Sequence, residues 1–342
     1  MPLKREPFGV GPGGEGVELV TLAHGAITVE ILTYGGIVRR VLMPDRHGAV
    51  ANVVLGRPTL ADYLTDNSPY LGALVGRYAN RIGGGAFVLD GVRYQLDRNE
   101  GSTTLHGGSR GFESAVWEVL DGAVEDGPPL VRLRHVSPAG EMGFPGTLTT
   151  TATYALRADG TLAIELDATT DAPTVVSLTS HGYWNLAGEG SGTIDGHVLC
   201  IHADHHTPID EALIPTGTVE PVAWTDLDFR RPSEIGARLL EANYVLDAAG
   251  SGRLAHAADL SAPGSGRRLS LWTSAPGLQV YSADKLDGSL GGTTGTPLVT
   301  RSGLALEPQS FPDSPNRPRF PSTELYPGDT YHWAAEFHLS TA

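Results

Sequence analysis

The sequence predicts an all-β protein built as one large antiparallel β-sandwich. Three observations carry that expectation. Short segments rich in β-branched and aromatic residues recur along the chain, separated by turns of glycine and aspartate. The 342 residues include 44 glycines and 24 prolines, which helix interiors tolerate poorly. Helical periodicity is scarce throughout.

The elements follow in chain order. Val17 to Thr21, Ala26 to Leu32 and Gly36 to Met43 read as strands, with turns at Ala23-His24-Gly25, Tyr34-Gly35-Gly36 and Asp45-Arg46-His47-Gly48. Residues 86–89 and 92–96 flank Asp90-Gly91, a pair that supplies the positive φ angles of a two-residue hairpin turn. Leu130 to Val136, Leu148 to Leu156 and Thr161 to Thr169 continue the pattern, with Asp159-Gly160 as a second tight turn. Val198 to His202, Gly277 to Ser282 and Tyr331 to Leu339 add further strands, and Thr174 to Leu178 is strand-like. Thr59 to Leu64 and Ser233 to Arg238 each read as a single helical turn, with Pro232 blocking any extension of the second. Ala248 to Ser265 reads as a surface excursion and Ser289 to Thr296 as a Gly/Thr-rich loop. No compositional break divides the chain, so residues 1–342 are expected to form a single domain, a size that all-β units reach.

Charge and cysteine content narrow the function. The net charge of −15 repels phosphate backbones and anionic lipid, so neither nucleic acid nor a membrane surface is an expected partner. The single cysteine, Cys200, permits no intramolecular disulfide and sits in a strand-like apolar run. The N-terminal stretch is charged and lacks an apolar core, so it does not read as a secretory signal. No run of 18 apolar residues exists, and the expected location is the cytoplasm.

Several clusters carry candidate chemistry. Leu105-His106-Gly107-Gly108 sets a histidine beside residues that allow close approach of backbone to ligand, or simply a turn. Ser180-His181-Gly182-Tyr183-Trp184-Asn185 groups an imidazole, two aromatics and an amide, a mixture suited either to a sugar or to an aromatic core. Leu306-Glu307-Pro308 ends an apolar run on a carboxylate that a proline would hold in place. A lone glutamate at a strand end is ordinarily just solvated. His197, His202, His205 and His206 fall within ten residues but show neither H-E-x-x-H spacing nor a cysteine pair, so no metal site is expected. The glycine-rich pieces lack the G-x-G-x-x-G and G-K-[ST] contexts, which leaves NAD and ATP unsupported.

Taken together, these motifs resemble those of the aldose 1-epimerases, also called galactose mutarotases. The resemblance runs from about Val17 to His338. It is carried, in order, by Tyr34-Gly35-Gly36, Gly76-Arg77-Tyr78-Ala79-Asn80-Arg81-Ile82, Asn99-Glu100-Gly101 with Leu105-His106-Gly107-Gly108, and His181-Gly182-Tyr183-Trp184-Asn185-Leu186. Ile214-Pro215-Thr216-Gly217, Asp228-Phe229-Arg230, Pro276 to Tyr281 and Leu306-Glu307-Pro308-Gln309 with Phe311-Pro312-Asp313 complete the set.

The resemblance implies a galactose mutarotase-like supersandwich with a sugar site on its concave face and no cofactor. It implies Glu307 as base, His181 as acid and His106 as a supporting donor on the ring-oxygen side. Asn80, Arg81 and Gln279 are the implied substrate ligands, with Arg81 also stabilising an ionised Glu307. Glu241-Ala242-Asn243-Tyr244 stands where the family carries an Asp-His-Asn-Tyr-like segment whose Asp binds sugar hydroxyls, so the resemblance implies either that Glu241 replaces that aspartate with a longer arm or that the loop has changed role. Tyr281-Ser282-Ala283-Asp284 likewise stands where the family often has a Thr-Gly-Asn-like sequence. The expected activity is interconversion of the α and β anomers of free hexoses such as glucose or galactose, by a monomer or homodimer. Two other readings use the same fold: a non-catalytic carbohydrate-binding or sensor protein, and a lyase acting on a glycosylated small molecule.

Overall fold

The computed structural model describes residues 3–66, 68–121, 127–246 and 252–342. Three antiparallel sheets dominate it. A five-stranded meander runs Leu3–Val10, Gly16–His24, Ile27–Leu32, Val38–Pro44 and Val50–Asn52. A nine-stranded sheet has the spatial order Glu118–Asp121, Leu130–Ser137, Leu148–Leu156, Thr161–Thr170, Tyr331–Thr341, Arg267–Thr273, Ala255–Ser261, Val198–Ile201 and Ser233–Glu234. A six-stranded sheet runs Tyr183–Trp184, Leu304–Gln309, Gly277–Tyr281, Glu241–Val245, His205–Thr207 and Glu220–Pro221.

One apolar cluster joins all three. Val20, Val29 and Val41 from the five-stranded sheet, Ala152, Ile164 and Phe337 from the nine-stranded sheet, and Leu278, Val280, Leu304 and Leu306 from the six-stranded sheet are all buried in it. Alternation supplies these residues. The strand Leu148–Leu156 shows a strict buried/half-buried pattern along its nine residues, so one face enters the core. The same rule applied to the six-stranded sheet sends Leu304 and Leu306, Leu278 and Val280, and Ala242 and Tyr244 into the core. It therefore turns Ala305 and Glu307, Gln279 and Tyr281, and Glu241 and Asn243 to the opposite face.

The hairpin at Asp90-Gly91 forms with φ of 50° and 75°, the left-handed geometry that a type I′ turn requires. The short helix Leu60–Thr65 is set by a capping box: the Thr59 hydroxyl accepts from the Asp62 N–H, and the Asp62 carboxylate accepts from the Thr59 N–H.

Three sequence expectations are corrected. Residues 233–238 do not form a helical turn. Ser233–Glu234 is instead a short edge strand paired with Val198-Leu199, because backbone pairing to the sheet outweighs a weak local preference. The expected excursion at Ala248 to Ser265 holds the strand Ala255–Ser261, paired on both sides. Its residues 248–251 lie outside the described residues. The Ser289 to Thr296 loop begins as strand and turns only from residue 292: Asp287–Gly291 pairs with Pro297–Val299. In the first, alanine-rich composition hides a pairing with Val198–Ile201 from far along the chain; in the second, glycine-rich composition hides a local hairpin.

Candidate active site

The face of the six-stranded sheet turned away from the core forms one wall of a cavity of about 310 Å³, near the lower end of the roughly 300–1,000 Å³ usual for small-molecule sites. All seven residues singled out by sequence line it: Asn80, Arg81, His106, His181, Glu241, Gln279 and Glu307. Pairing register explains part of this. Glu307 faces Gln279 across one pair of strands, and Asn243 faces Gln279 across the next. Glu307 is not at a solvated strand end. The strand continues to Gln309, and Glu307 is 2% exposed. Pro308 is tolerated because the neighbouring strand Tyr183–Trp184 pairs only with Leu304 and Ala305, so no ladder partner needs its missing N–H on that side.

The histidines arrive from loops outside the sheet. The His181 backbone is tied on both sides, its N–H donating to the Ala73 carbonyl and its carbonyl accepting from the Gly72 N–H. Its ring lies between those of Tyr70 and Tyr183, with centroids 5.9 and 4.9 Å away. His181 Nε2 stands 3.4 Å from Glu307 Oε2, just beyond ordinary hydrogen-bond length. His106 follows the two-residue strand Thr104–Leu105 in a left-handed conformation, φ 54°. Its Nδ1 accepts the backbone N–H of Asn80 at 3.1 Å, which leaves Nε2 as the ring's N–H donor. Gly107 makes this loop possible: a Cβ there would sit 2.2 Å from the Gly76 carbonyl oxygen.

Arg81 is buried, and three of its five N–H donors are engaged by carboxylates. Nε and one terminal nitrogen hold both oxygens of Glu100 at 2.5 and 3.0 Å, while the other reaches Glu241 at 3.1 Å. These bonds orient Glu241 at the cavity wall and leave two of the five guanidinium N–H donors for a ligand hydroxyl.

Burial disfavours charge on each of the central groups. It pushes the Glu307 carboxyl up to about 8, with the negative Glu241 adding to the effect and Arg81 opposing it. It pulls His181 down to about 3. His106 is lowered well below its usual value, first by burial and then by His181 and the cations Arg81 and Lys285. Among the described residues, His181 Nδ1 and Glu307 Oε2 are buried without hydrogen-bond partners. Leaving such atoms unpaired costs about 1–3 kcal/mol each, so a ligand that satisfies them is bound the more firmly.

The donor atoms of His106, His181 and Glu307 lie within 4.8 Å of one another. That spacing suits a cation, and equally a proton donor and acceptor flanking one reacting centre. The four clustered histidines do not converge. His197 is buried and accepts the Leu186 N–H, His202 directly follows the strand Val198–Ile201 of the nine-stranded sheet, and His205 and His206 lie on the six-stranded sheet.

Sequence reasoning assigned no role to Tyr70, Glu100, Tyr281 or Lys285, which also line the cavity. Glu100 and Tyr281 lay inside quoted motifs, and Glu100 is recognisable once Arg81 needs a counter-ion. Tyr70 and Lys285 carried no sequence signal, since only the folded loops bring them over the histidines.

The chain matches the family model described as aldose 1-epimerase over residues 18–338. It is 40% identical to a galactose mutarotase from Sus scrofa, each chain covered in full. It is 34% identical to an aldose 1-epimerase from Escherichia coli, with 96% and 97% of the two chains covered. A solved aldose epimerase homologue from C. elegans superposes with a TM-score of 0.87 at 30% identity, covering 95% of this chain and 99% of that one. The galactose 1-epimerase of Lactobacillus acidophilus gives 0.86 at 24% identity over 99% of each chain, a likeness of fold. With the family matched along nearly its whole length, this chain belongs to the aldose 1-epimerase family and is an isomerase acting on the anomeric centre of a sugar.

Proposed function

We propose that Glu307 and His181 are the proton carriers of anomer interconversion, and that the sugar is a free, uncharged hexose such as glucose or galactose. The observation that supports this most strongly is the convergence of a carboxyl and an imidazole, 3.4 Å apart, in a buried cavity. Opening a hemiacetal needs a base for the C1 hydroxyl and an acid for the ring oxygen. Glu307 takes the C1 hydroxyl proton as the bond from C1 to the ring oxygen breaks. His181 gives its proton to that oxygen. Rotation about C1–C2 turns the aldehyde, the ring oxygen attacks the other face and returns its proton to His181, and Glu307 reprotonates the new hydroxyl. His106, with its Nε2 hydrogen, supports charge on the ring-oxygen side. Gln279, beside Glu307 in the ladder, binds near the C1 hydroxyl, and Asn80 and Glu241 bind the remaining hydroxyls.

An uncharged substrate follows from the charge balance. Arg81 and Lys285 are the cations lining the cavity, and both are paired: Arg81 with Glu100 and Glu241, Lys285 with Glu100 at 3.7 Å. Glu100 and Glu241 already offset both cations, so the cavity offers a phosphate no surplus positive charge. We place the enzyme in the cytoplasm, a reading supported by the lone cysteine. Among the described residues no helix is long and apolar enough to cross a membrane.

The test is polarimetry of fresh α-glucose and α-galactose. Wild-type protein should speed mutarotation well above buffer, and Glu307→Gln and His181→Asn should each lose about 10² to 10⁴-fold in rate. Full activity in either variant would overturn the assignment. Sugar binding without anomer exchange in the wild type would overturn the activity itself.

A further inference from the structure

Away from the sugar cavity, the outer face of the nine-stranded sheet gathers a second set of chemically active side chains. Cys200 lies directly opposite Asp259 across the pair Val198–Ile201 and Ala255–Ser261. His202 is two positions beyond Cys200 and so shares its face. A bulge between His256 and Ala258 shifts the register and returns His256 to that face. The rings of His202 and His256 then stand 4.0 Å apart. The inward neighbours Leu199, Ile201 and Leu260 belong to the core, so the outward orientation of this set is fixed by packing.

We propose that Cys200, His202 and Asp259 bind a divalent transition-metal ion of the zinc type, with the fourth position open to the adjoining cleft. The Cys200 thiol, a His202 ring nitrogen and an Asp259 carboxylate oxygen lie within 4.8 Å of one another. His202 Nε2 is already 2.9 Å from Asp259 Oδ2. Ligands on a tetrahedral zinc stand roughly 3.5 Å apart, so closure needs only small side-chain rotations. The donor set decides the metal class: one sulfur, one nitrogen and one oxygen suit zinc, whereas calcium and magnesium prefer oxygen alone.

The surroundings hold the donors in place. His256 Nε2 is 3.0 Å from Asp259 Oδ1 and 2.8 Å from the Ser270 hydroxyl, and its ring stacks on Trp272 at 4.7 Å. It thereby orients the carboxylate, as outer partners of metal ligands commonly do. Cys200 is 7% exposed and lines a cleft of about 400 Å³ together with Pro232, Asp259, Ser270 and His338. A bound ion would cross-link two strands near the sheet edge. The sequence hid this site because its three ligands span residues 200 to 259 and show no ligand spacing.

The experiment is zinc and cobalt titration of the full-length, reduced protein, followed by absorption spectroscopy and by mutarotation assay. One zinc per chain is expected. The cobalt form should show a sulfur-to-metal charge-transfer band that Cys200→Ser abolishes. Cys200→Ser, His202→Asn and Asp259→Asn should each cut zinc affinity by at least tenfold, and His256→Ala by about 10- to 100-fold. Mutarotation by all four variants should equal that of the wild type, which also verifies their folding, and saturating zinc should leave it unchanged. Three results would overturn the proposal. They are no stoichiometric uptake, uptake unaffected by Cys200→Ser, and uptake that blocks mutarotation without a thiolate band, which would put the ion among His106, His181 and Glu307.

Discussion

Glu307 and His181 share one proton near neutral pH. Burial holds the carboxyl up to about 8 and the imidazole down to about 3, so in the free enzyme both favour their uncharged forms. In the proposed mechanism, moving that proton from Glu307 to His181 creates the base and acid of ring opening, and it changes no net charge. The pair therefore titrates as a unit. It takes up a second proton toward about 3 and loses its only proton above about 8. We expect kcat/KM to be flat across neutral pH and to fall above about 8. A Glu307 acting alone as base would instead give a rate still rising through pH 8. A pH–rate profile from pH 5 to 9.5 separates the two.

The loop that carries His106 shows how a segment can be set by one position without a side chain. Leu105 pairs with Arg81, the His106 N–H donates to the Asn80 carbonyl, and Asn80 in turn donates to His106 Nδ1. Gly107 then passes at φ 92° against the Gly76 carbonyl. Gly107→Ala would need both a left-handed backbone and a clash at 2.2 Å. We expect it to displace His106 and lower kcat by at least tenfold, while the far sheets keep their β-rich circular dichroism. Unchanged kinetics would show that the loop tolerates the methyl and that His106 placement does not depend on it.

Buried titratable groups give the whole molecule an expected pH of greatest stability. His106, His135, His181 and His197 are all held below their usual value of 6.5, chiefly by burial. The unfolded chain then binds more protons below that pH, so stability is lost as pH falls from 6.5. Glu307 and Glu113 behave oppositely, with burial raising them to about 8 and about 7 from 4.5. There the folded chain binds more protons, so stability is lost as pH rises through that window. Four histidines against two carboxyls place the maximum near pH 6.5. Denaturant midpoints measured from pH 4 to 9 should peak there. Glu307→Gln should be more stable than wild type at pH 8 and above, the gap closing toward pH 5. A midpoint still climbing at pH 9 would contradict this account.

Much of this was legible in the chain itself. Alternation at Leu148–Leu156, the Asp90-Gly91 turn and the Thr59 cap are local signals, written in spacing and turn chemistry, and these three elements form where their residues direct. The seven site residues were readable because ordered motifs carried them. None would have stood out alone, since a strand-end glutamate and a histidine beside glycines have bland uses. What only the tertiary structure decided is which distant residues meet. Pairing made a strand of Ala255–Ser261 despite its alanines, and the fold set Tyr70 against His181 and paired Arg81 with Glu100 and Glu241. The physical reason is common to all of these. Local propensity and period act over a few residues, whereas burial, counter-ion choice and pKa depend on neighbours that the fold brings from as few as 19 to as many as 160 positions away.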